Sequence, residues 1–332
     1  GYVKEDTRQK VYEAVKKLNY YPNNLGRSLN NNRVNIIGIL APIIGGTVEN
    51  SPYYTRILYG IELELIEHSY DLLISTQRRK MLNENNQFDY FRMYLERKAD
   101  ALILLGARLT DEDINKIREL NIPFCVIGDR PKSKFINVID TKNKEGFKKL
   151  LKELYKKGHR RIGFGGVNTD NYNICERYEG YLEFLKEKNL PFESNYVFGS
   201  EEQLSFDGEY IMEEYIALRK NYRKKDPGSL QPPTVIACST DEAAIGVIRK
   251  ARELKVSIPE ELGVSGFDGF PLGQNIIPRL TSVMQPLQEM GKKAAELSLN
   301  RLQEGASACT EVFFDVEYIA GDSVIDVADM KQ

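Results

Sequence analysis

No tryptophan occurs in the 332 residues, histidine occurs twice, and Cys125, Cys175, Cys238 and Cys309 stand apart without a Cys-x-x-Cys pair. That spacing argues against a disulfide framework or a cysteine-based zinc site and fits reduced thiols in a cytoplasmic chain. No apolar run reaches the length of a membrane span, about 18 residues, and the chain opens on charged residues rather than an apolar signal segment. Catalytic signatures are missing too. There is no Gly-x-Ser-x-Gly elbow, P-loop, His-Glu-x-x-His run or catalytic carboxylate pair, and Gly163-Phe164-Gly165-Gly166 is too short for a dinucleotide fingerprint. His68 and His159 stand alone. The residues point away from an enzyme and call for no cofactor and no metal.

What is present is charge, unevenly placed. Lys and Arg number 46 against 48 Asp and Glu, a net charge of −2. Residues 1–33 hold seven basic side chains against Glu5, Asp6 and Glu13, so that stretch is +4 and the remainder −6. A basic arm on an acidic body suits a module that sits near phosphates, with a merely solvated basic helix as the alternative.

With 42% hydrophobic residues the chain has ample material for burial, and its length suggests two lobes plus a small appendage. From residue 34 onward short apolar runs alternate with longer amphipathic stretches, the pattern of βαβ units. Strands are predicted near 35–40, 72–75, 101–105, 124–127 and 137–139, with helices at 54–68, 85–98, 111–120 and 142–157. After a break at Gly158-His159-Arg160, strands recur at 161–165, 196–198, 234–238 and 263–267, with helices at 174–188, 207–222 and 242–254. The predicted fold class is α/β, two doubly wound parallel-sheet lobes in succession. A strand at 280–284, a helix at 286–303 and a strand at 311–316 are too few for a third lobe. They are expected to cross back, the helix to one lobe and the last strand to the other. The predicted division is a helical appendage at 1–23, a linker at 24–33, a first lobe of 34–157 plus 285–308, and a second lobe of 158–284 plus 309–332. Repeated crossovers make a hinge, and a small ligand belongs in the crevice at the carboxyl ends of the strands.

Three stretches carry a resemblance. The first is residues 1–23, ending Leu18-Asn19-Tyr20-Tyr21-Pro22-Asn23. The second is Lys157-Gly158-His159-Arg160-Arg161-Ile162-Gly163-Phe164 with Glu176-Arg177-Tyr178-Glu179-Gly180-Tyr181. The third is Gly263-Val264-Ser265-Gly266-Phe267-Asp268, then Pro278-Arg279-Leu280-Thr281-Ser282-Val283 and Gln285-Pro286. In order and spacing they are similar to the lactose/galactose-repressor family, which the chain resembles along essentially its whole length. The resemblance implies lobes of periplasmic-binding-protein type, a helix-turn-helix headpiece, a homodimer, no membrane, and operator DNA as a partner of the full-length protein. Residues 1–23 look like the third headpiece helix alone. The helix that reads bases in the major groove would precede Gly1, so DNA binding by this chain itself is expected to be weak or absent. Residues 24–29 resemble the family's hinge helix, in which Leu25, Arg27, Ser28 and Leu29 would meet the minor groove and Leu29 would wedge between base steps. Gly26 stands where the family has alanine, a loss of about 1 kcal/mol of helix propensity, and a flexible linker in the absence of DNA is the competing reading.

The same resemblance implies an effector site made of Tyr53, Tyr54, Asp129, Asn173, Arg177, Phe206, Thr240, Asp241 and Asp268. Most of these follow strand ends, and Asn173 and Arg177, four apart, share a helix face. A carboxylate accepts from vicinal hydroxyls and a guanidinium donates a fork, so Asp129, Arg177 and Asp268 suit a small carbohydrate. Without tryptophan, Tyr53, Tyr54 and Phe206 are the aromatic faces for a sugar ring. Structural alternatives stand beside these roles. Asp241 could cap the helix that follows it, Phe206 could be core, and Arg177 with Asp268 could be an inter-element salt bridge. Thr240 stands where many sugar-responsive members have asparagine, so the sugar cannot be borrowed from them. The reading is a sugar-responsive transcriptional regulator, a repressor, with a transporter's sugar-binding protein as the alternative.

Overall fold

Ala-Leu-Ile-Leu-Leu at 101–105 is apolar at every position, and all five residues are buried. Such a run belongs in a parallel sheet covered by helices on both faces. The computed structural model describes residues 4–18, 33–41, 51–75, 90–106, 108–168, 171–199, 207–223, 230–304 and 309–331. The first series of strands is β1 (Ile36–Leu40), β2 (Asp71–Ser75), β3 (Ala101–Leu105), β4 (Phe124–Ile127) and β5 (Asn137–Thr141). The second is β6 (Ile162–Gly165), β7 (Val197–Phe198), β8 (Val235–Cys238) and β9 (Gly263–Ser265), followed by β10 (Ser282–Met284), β11 (Glu311–Phe314) and β12 (Glu317–Ile319). The helices are α1 (Glu5–Lys17), α2 (Pro52–Glu67), α3 (Arg92–Leu95), α4 (Asp111–Glu119), α5 (Asn143–Lys156), α6 (Tyr172–Glu187), α7 (Gly208–Arg223), α8 (Asp241–Glu253), α9 (Pro271–Asn275) and α10 (Leu287–Glu304).

Two parallel sheets result, in the order β11-β5-β4-β3-β1-β2 and β7-β6-β8-β9. The antiparallel pair β10 and β12 lies beside the second, joined to it by bridges from Ser265 to Thr281 and from Asp268 to Met284. Around the first sheet, Ile57, Ile61 and Leu65 of α2 pack with Met290, Ala294 and Leu299 of α10. Around the second, Phe147, Leu150 and Leu154 of α5 pack with Ile162, Phe164, Tyr181 and Phe267. Each such fully buried side chain contributes about 2 kcal/mol. Helix α1, the headpiece-like segment, has no buried residue. The cysteines are free thiols, with Cys125 and Cys238 buried in the cores.

Two expectations about the lobes need correction. The helix predicted at 142–157 was placed in the first lobe, but its apolar face lies in the second core, so the first crossover is at residues 141–143. The last strand was expected in the second lobe, yet Glu311–Phe314 pairs with Val138–Thr141 in the first sheet. The chain returns to the second lobe only at Asp315 and Val316, where Val316 enters the second core and β12 pairs with β10. With the passage from β10 to α10 at residues 284–287, three segments among the described residues cross between the lobes.

One buried histidine ties the C-terminal strap to the second lobe. His159 is fully buried, with Nδ1 2.8 Å from the Thr234 hydroxyl and Nε2 3.1 Å from the Ile325 carbonyl. A carbonyl only accepts, so Nε2 carries a proton. Burial holds its pKa down at about 4. A depressed histidine makes the folded state bind fewer protons than the unfolded one, so its contribution is present above the ordinary value near 6.5 and is lost as pH falls toward 4. Replacing His159 by glutamine is expected to lower stability by about 1–2 kcal/mol at pH 7.5. The gap should shrink between pH 6.5 and 4.5 in urea melts of the two proteins; a constant gap would refute the assignment.

Candidate ligand-binding cleft

The carboxyl ends of both sheets meet at the three crossovers, and Asn173, Arg177 and Asp268 among the predicted residues lie there. Helix α6 is started by Asn171, whose side chain accepts from the Ile174 amide at 3.2 Å. That start puts Asn173 and Arg177 on its buried face. Arg177 is 3% exposed and stacks over Phe267, the guanidinium carbon 3.9 Å from the ring centroid. Its Nε donates to Asn143 Oδ1 at 2.9 Å, and its Nη1 donates to the Ser239 carbonyl at 2.6 Å and faces Asp268 Oδ1 at 3.4 Å. The salt bridge weighed as an alternative therefore exists, and it lies in the cleft rather than replacing it.

Asp268 follows β9 on a backbone with φ of 125°, in the left-handed half of conformational space that side chains rarely enter. Its Oδ1 also accepts from Gln285 Nε2 at 2.6 Å, and Gln285 Oε1 accepts from the Thr141 hydroxyl at 2.8 Å. Asn143 Nδ2 in turn donates to Asp140 Oδ1 at 3.1 Å. The arginine–carboxylate pair is thus hydrogen-bonded to residues of the first and second crossovers, and every member of the chain is buried. Burial raises the pKa of Asp268 above the ordinary aspartate range, with Arg177 and Gln285 pulling it partly back. Burial likewise lifts Asp140 to about 7.

Tyr53 and Tyr54 open α2, their rings edge to face with centroids 5.6 Å apart. A Cβ on Gly128, which has φ of +82°, would lie 3.0 Å from the Tyr53 hydroxyl and 3.2 Å from Asn173 Nδ2. Glycine is what lets a first-lobe tyrosine and a second-lobe asparagine converge there. Among the described residues the Tyr53 hydroxyl and Asn173 Oδ1 are buried without a hydrogen-bond partner. Unsatisfied buried polar atoms are costly, about 1–3 kcal/mol each, and a polar ligand would relieve them. Burial drives the Tyr53 phenol far up in pKa, with Asp140 adding to the effect. It pushes Tyr54 up to about 12, helped by Glu242 across the cleft. Asp129, 6% exposed, accepts from the Leu109 amide at 3.2 Å, and burial raises its pKa.

Two predicted positions sit differently. Thr240, not Asp241, caps α8, its hydroxyl accepting from the Ala243 amide at 3.2 Å. Asp241 is fully buried and spends its carboxylate on the Phe270 amide at 2.7 Å and the Ser282 hydroxyl at 2.5 Å. Burial raises its pKa, and Asp268 adds to the shift. Asp241 therefore fastens the loop that carries Asp268. Phe206 and the hinge positions Leu25, Arg27, Ser28 and Leu29 lie outside the described residues. Residues that the sequence reading passed over are Asp140, Thr141, Asn143, Ser239, Glu242 and Gln285. Gln285 belonged to a quoted motif, Gln285-Pro286, yet only its spatial place beside Asp268 marks it as part of the site. Glu242, lifted to about 7 by burial, lines a cavity of about 250 Å³ at the cleft mouth with Pro52, Phe270 and Leu272.

Residues 151–324 match the periplasmic binding protein-like domain. The chain is 29% identical over 323 residues to the HTH-type transcriptional regulator YvdE of Bacillus subtilis, covering 97% of this chain and 92% of that protein. It is 26% identical to the HTH-type transcriptional repressor PurR of Aliivibrio salmonicida, covering 91% of this chain and 85% of that one. Among solved structures it is similar to a complex of the transcriptional regulator CelR with cellobiose, with a TM-score of 0.74 at 22% identity, covering 97% of this chain and 91% of that one. It is also similar to a LacI family regulator from Enterococcus faecium with bound ribose, with a TM-score of 0.73 at 21% identity, covering 88% and 99%.

Proposed function

This chain belongs to the LacI/GalR family of transcriptional regulators, built on the periplasmic binding protein-like domain, and we propose that it is a sugar-responsive repressor whose effector closes the interlobe cleft. The observation that carries the reading is the buried Arg177–Asp268 pair, together with the Tyr53 hydroxyl and Asn173 Oδ1, which are buried without a hydrogen-bond partner among the described residues. A fork donor, carboxylate acceptors, an amide and tyrosine rings together match the hydroxyl-bearing edge and apolar face of a sugar ring. The effector contacts are Tyr53, Asn173, Arg177 and Asp268, with Tyr54 and Asp129 at the rim and Thr240 and Asp241 in support. Closure would move the first lobes of a homodimer relative to each other and weaken hinge and operator binding. Effector and operator affinities are then reciprocally coupled, about 1.4 kcal/mol for each tenfold change. Leu25, Arg27, Ser28 and Leu29 are the hinge residues that would meet the operator's minor groove. The protein acts by binding, without turnover, in the cytoplasm where its DNA is. A transporter's solute-binding protein would share the two lobes, but the matched relatives are transcriptional regulators along more than four fifths of their own length.

A thermal-shift screen of mono- and disaccharides tests the reading, since a ligand at 100 times its Kd adds about 2.7 kcal/mol of stability. The best sugar should also bind with a characteristic pH dependence. Because Asp268 must be ionised to accept hydroxyl protons and its pKa is raised by burial, affinity should be full above neutrality and should fall on acidification before an ordinary aspartate, near 4, would titrate. A flat affinity from pH 8 to pH 5 would remove Asp268 from the contacts.

A further inference from the structure

Next to the effector cleft, one arginine of the first lobe grips a carboxylate of the second. Arg130 follows Asp129 after β4, and its guanidinium lies over the Phe313 ring of β11, 4.2 Å from the centroid. Its Nη2 donates to the Thr141 carbonyl at 3.3 Å, and its Nε lies 3.7 Å from Asp140 Oδ2. All of these anchors belong to the first sheet. On its other side the same guanidinium meets α6 of the second lobe, with Nη2 3.2 Å from Glu176 Oε2 and the Tyr172 ring centroid 5.5 Å away. The Tyr172 hydroxyl donates to Glu176 Oε1 at 3.1 Å, which leaves Oε2 for the arginine. Arg130 and Glu176 are 29% and 13% exposed, so the pair is partly shielded from solvent.

We propose that Arg130 and Glu176 form an interlobe latch, a pair of positioning residues that hold the cleft closed without touching the effector. Each is the chain neighbour of a predicted contact, Arg130 of Asp129 and Glu176 of Arg177, so the latch flanks the site. Its anchors on one side are rigid, a stacked ring and a backbone carbonyl, whereas its partner rides on the other lobe. Opening the lobes separates Arg130 from Glu176 but leaves Arg130 with Phe313, Thr141 and Asp140. The attraction therefore counts only in the closed state and shifts the open–closed balance by its own free energy. An effector that binds the closed form gains affinity through that shift, chiefly by slower dissociation. This step rests on the reading that closure accompanies effector binding.

The test uses Glu176→Gln, which keeps shape and removes charge, and the swap Arg130→Glu with Glu176→Arg. Small-angle scattering of ligand-free protein gives a readout that needs no sugar, and stopped-flow dissociation of cellobiose gives the second. Glu176→Gln is expected to shift the ligand-free distance distribution toward the open form and to speed cellobiose dissociation about fivefold with an unchanged association rate. The salt dependence of the wild-type dissociation rate should vanish in the variant, and the swap should recover at least part of the closed population. Scattering and dissociation both like wild type would overturn the latch. So would an unrecovered swap that melts as wild type does. A Glu176→Gln protein that opens while wild type binds no cellobiose leaves the latch standing and counts only against cellobiose as the effector.

Discussion

Replacing Arg177 by alanine is expected to abolish the sugar-induced thermal shift and to lower the stability of the ligand-free protein by about 3–5 kcal/mol. The stability loss follows from what is left behind. Asp268 is 5% exposed and Asn143 fully buried, so removing the guanidinium strands a buried carboxylate and a buried amide oxygen. Breaking one side of a buried ion pair typically costs that much, because the remaining charge is neither hydrated nor paired. The binding loss is a separate effect. Two hydrogen bonds from a charged group, at about 1.5–3 kcal/mol each, correspond to at least a hundredfold in Kd. Arg177→Lys separates the two, since it keeps the charge but not the fork. It should restore part of the melting temperature while leaving sugar affinity well below wild type. An alanine variant with a normal melt and a full sugar shift would show that the pair is neither site nor support.

The second large effect is expected at Gly291. A Cβ there would lie 2.1 Å from the Ile57 carbonyl oxygen, and one on Gly60 would lie 2.0 Å from the Gln288 carbonyl oxygen. The two glycines let α10 lie directly on the backbone of α2, and backbone cannot turn aside as a side-chain end can. Gly291→Ala should therefore fall at the upper end of overpacking costs, about 3 kcal/mol, read as a lower urea midpoint with an unchanged slope. The consequence reaches function because α10 begins just past Gln285. Forcing α10 off α2 would loosen the join between the second crossover and the first lobe, and sugar affinity should fall along with stability. A variant as stable as wild type would mean that the helices can separate at no cost.

Legibility in the sequence followed the reach of each interaction. Strands such as 101–105 and 124–127 were visible because burial on both faces demands unbroken apolar runs, and helix α4, expected at 111–120, starts in the structure on a reciprocal cap formed by Thr110 and Asp113. Arg177 and Asp268 were found through a resemblance, and their burial together gives that inference a physical content. What stayed hidden depends on partners far along the chain. Nothing local tells Glu311–Phe314 to pair with β5, and a helix at 142–157 can cover either lobe. Asn143 and Gln285 read as ordinary polar residues beside a helix start. They join the Arg177–Asp268 network only because two crossovers bring them within 2.9 and 2.6 Å of Arg177 and Asp268. That Asp241 is not the cap of α8 was likewise decided from outside, by the Phe270 amide and the Ser282 hydroxyl claiming the aspartate.

The central claim is that a sugar sits between the lobes, held by Arg177 and Asp268. Titration calorimetry of this chain against ribose, glucose and cellobiose, with a free nucleobase as the contrasting ligand, tests it most directly. The predicted result is saturable binding of at least one sugar, one site per chain, lost in Asp268→Asn. Binding of the nucleobase alone, or sugar binding untouched by that substitution, would contradict it.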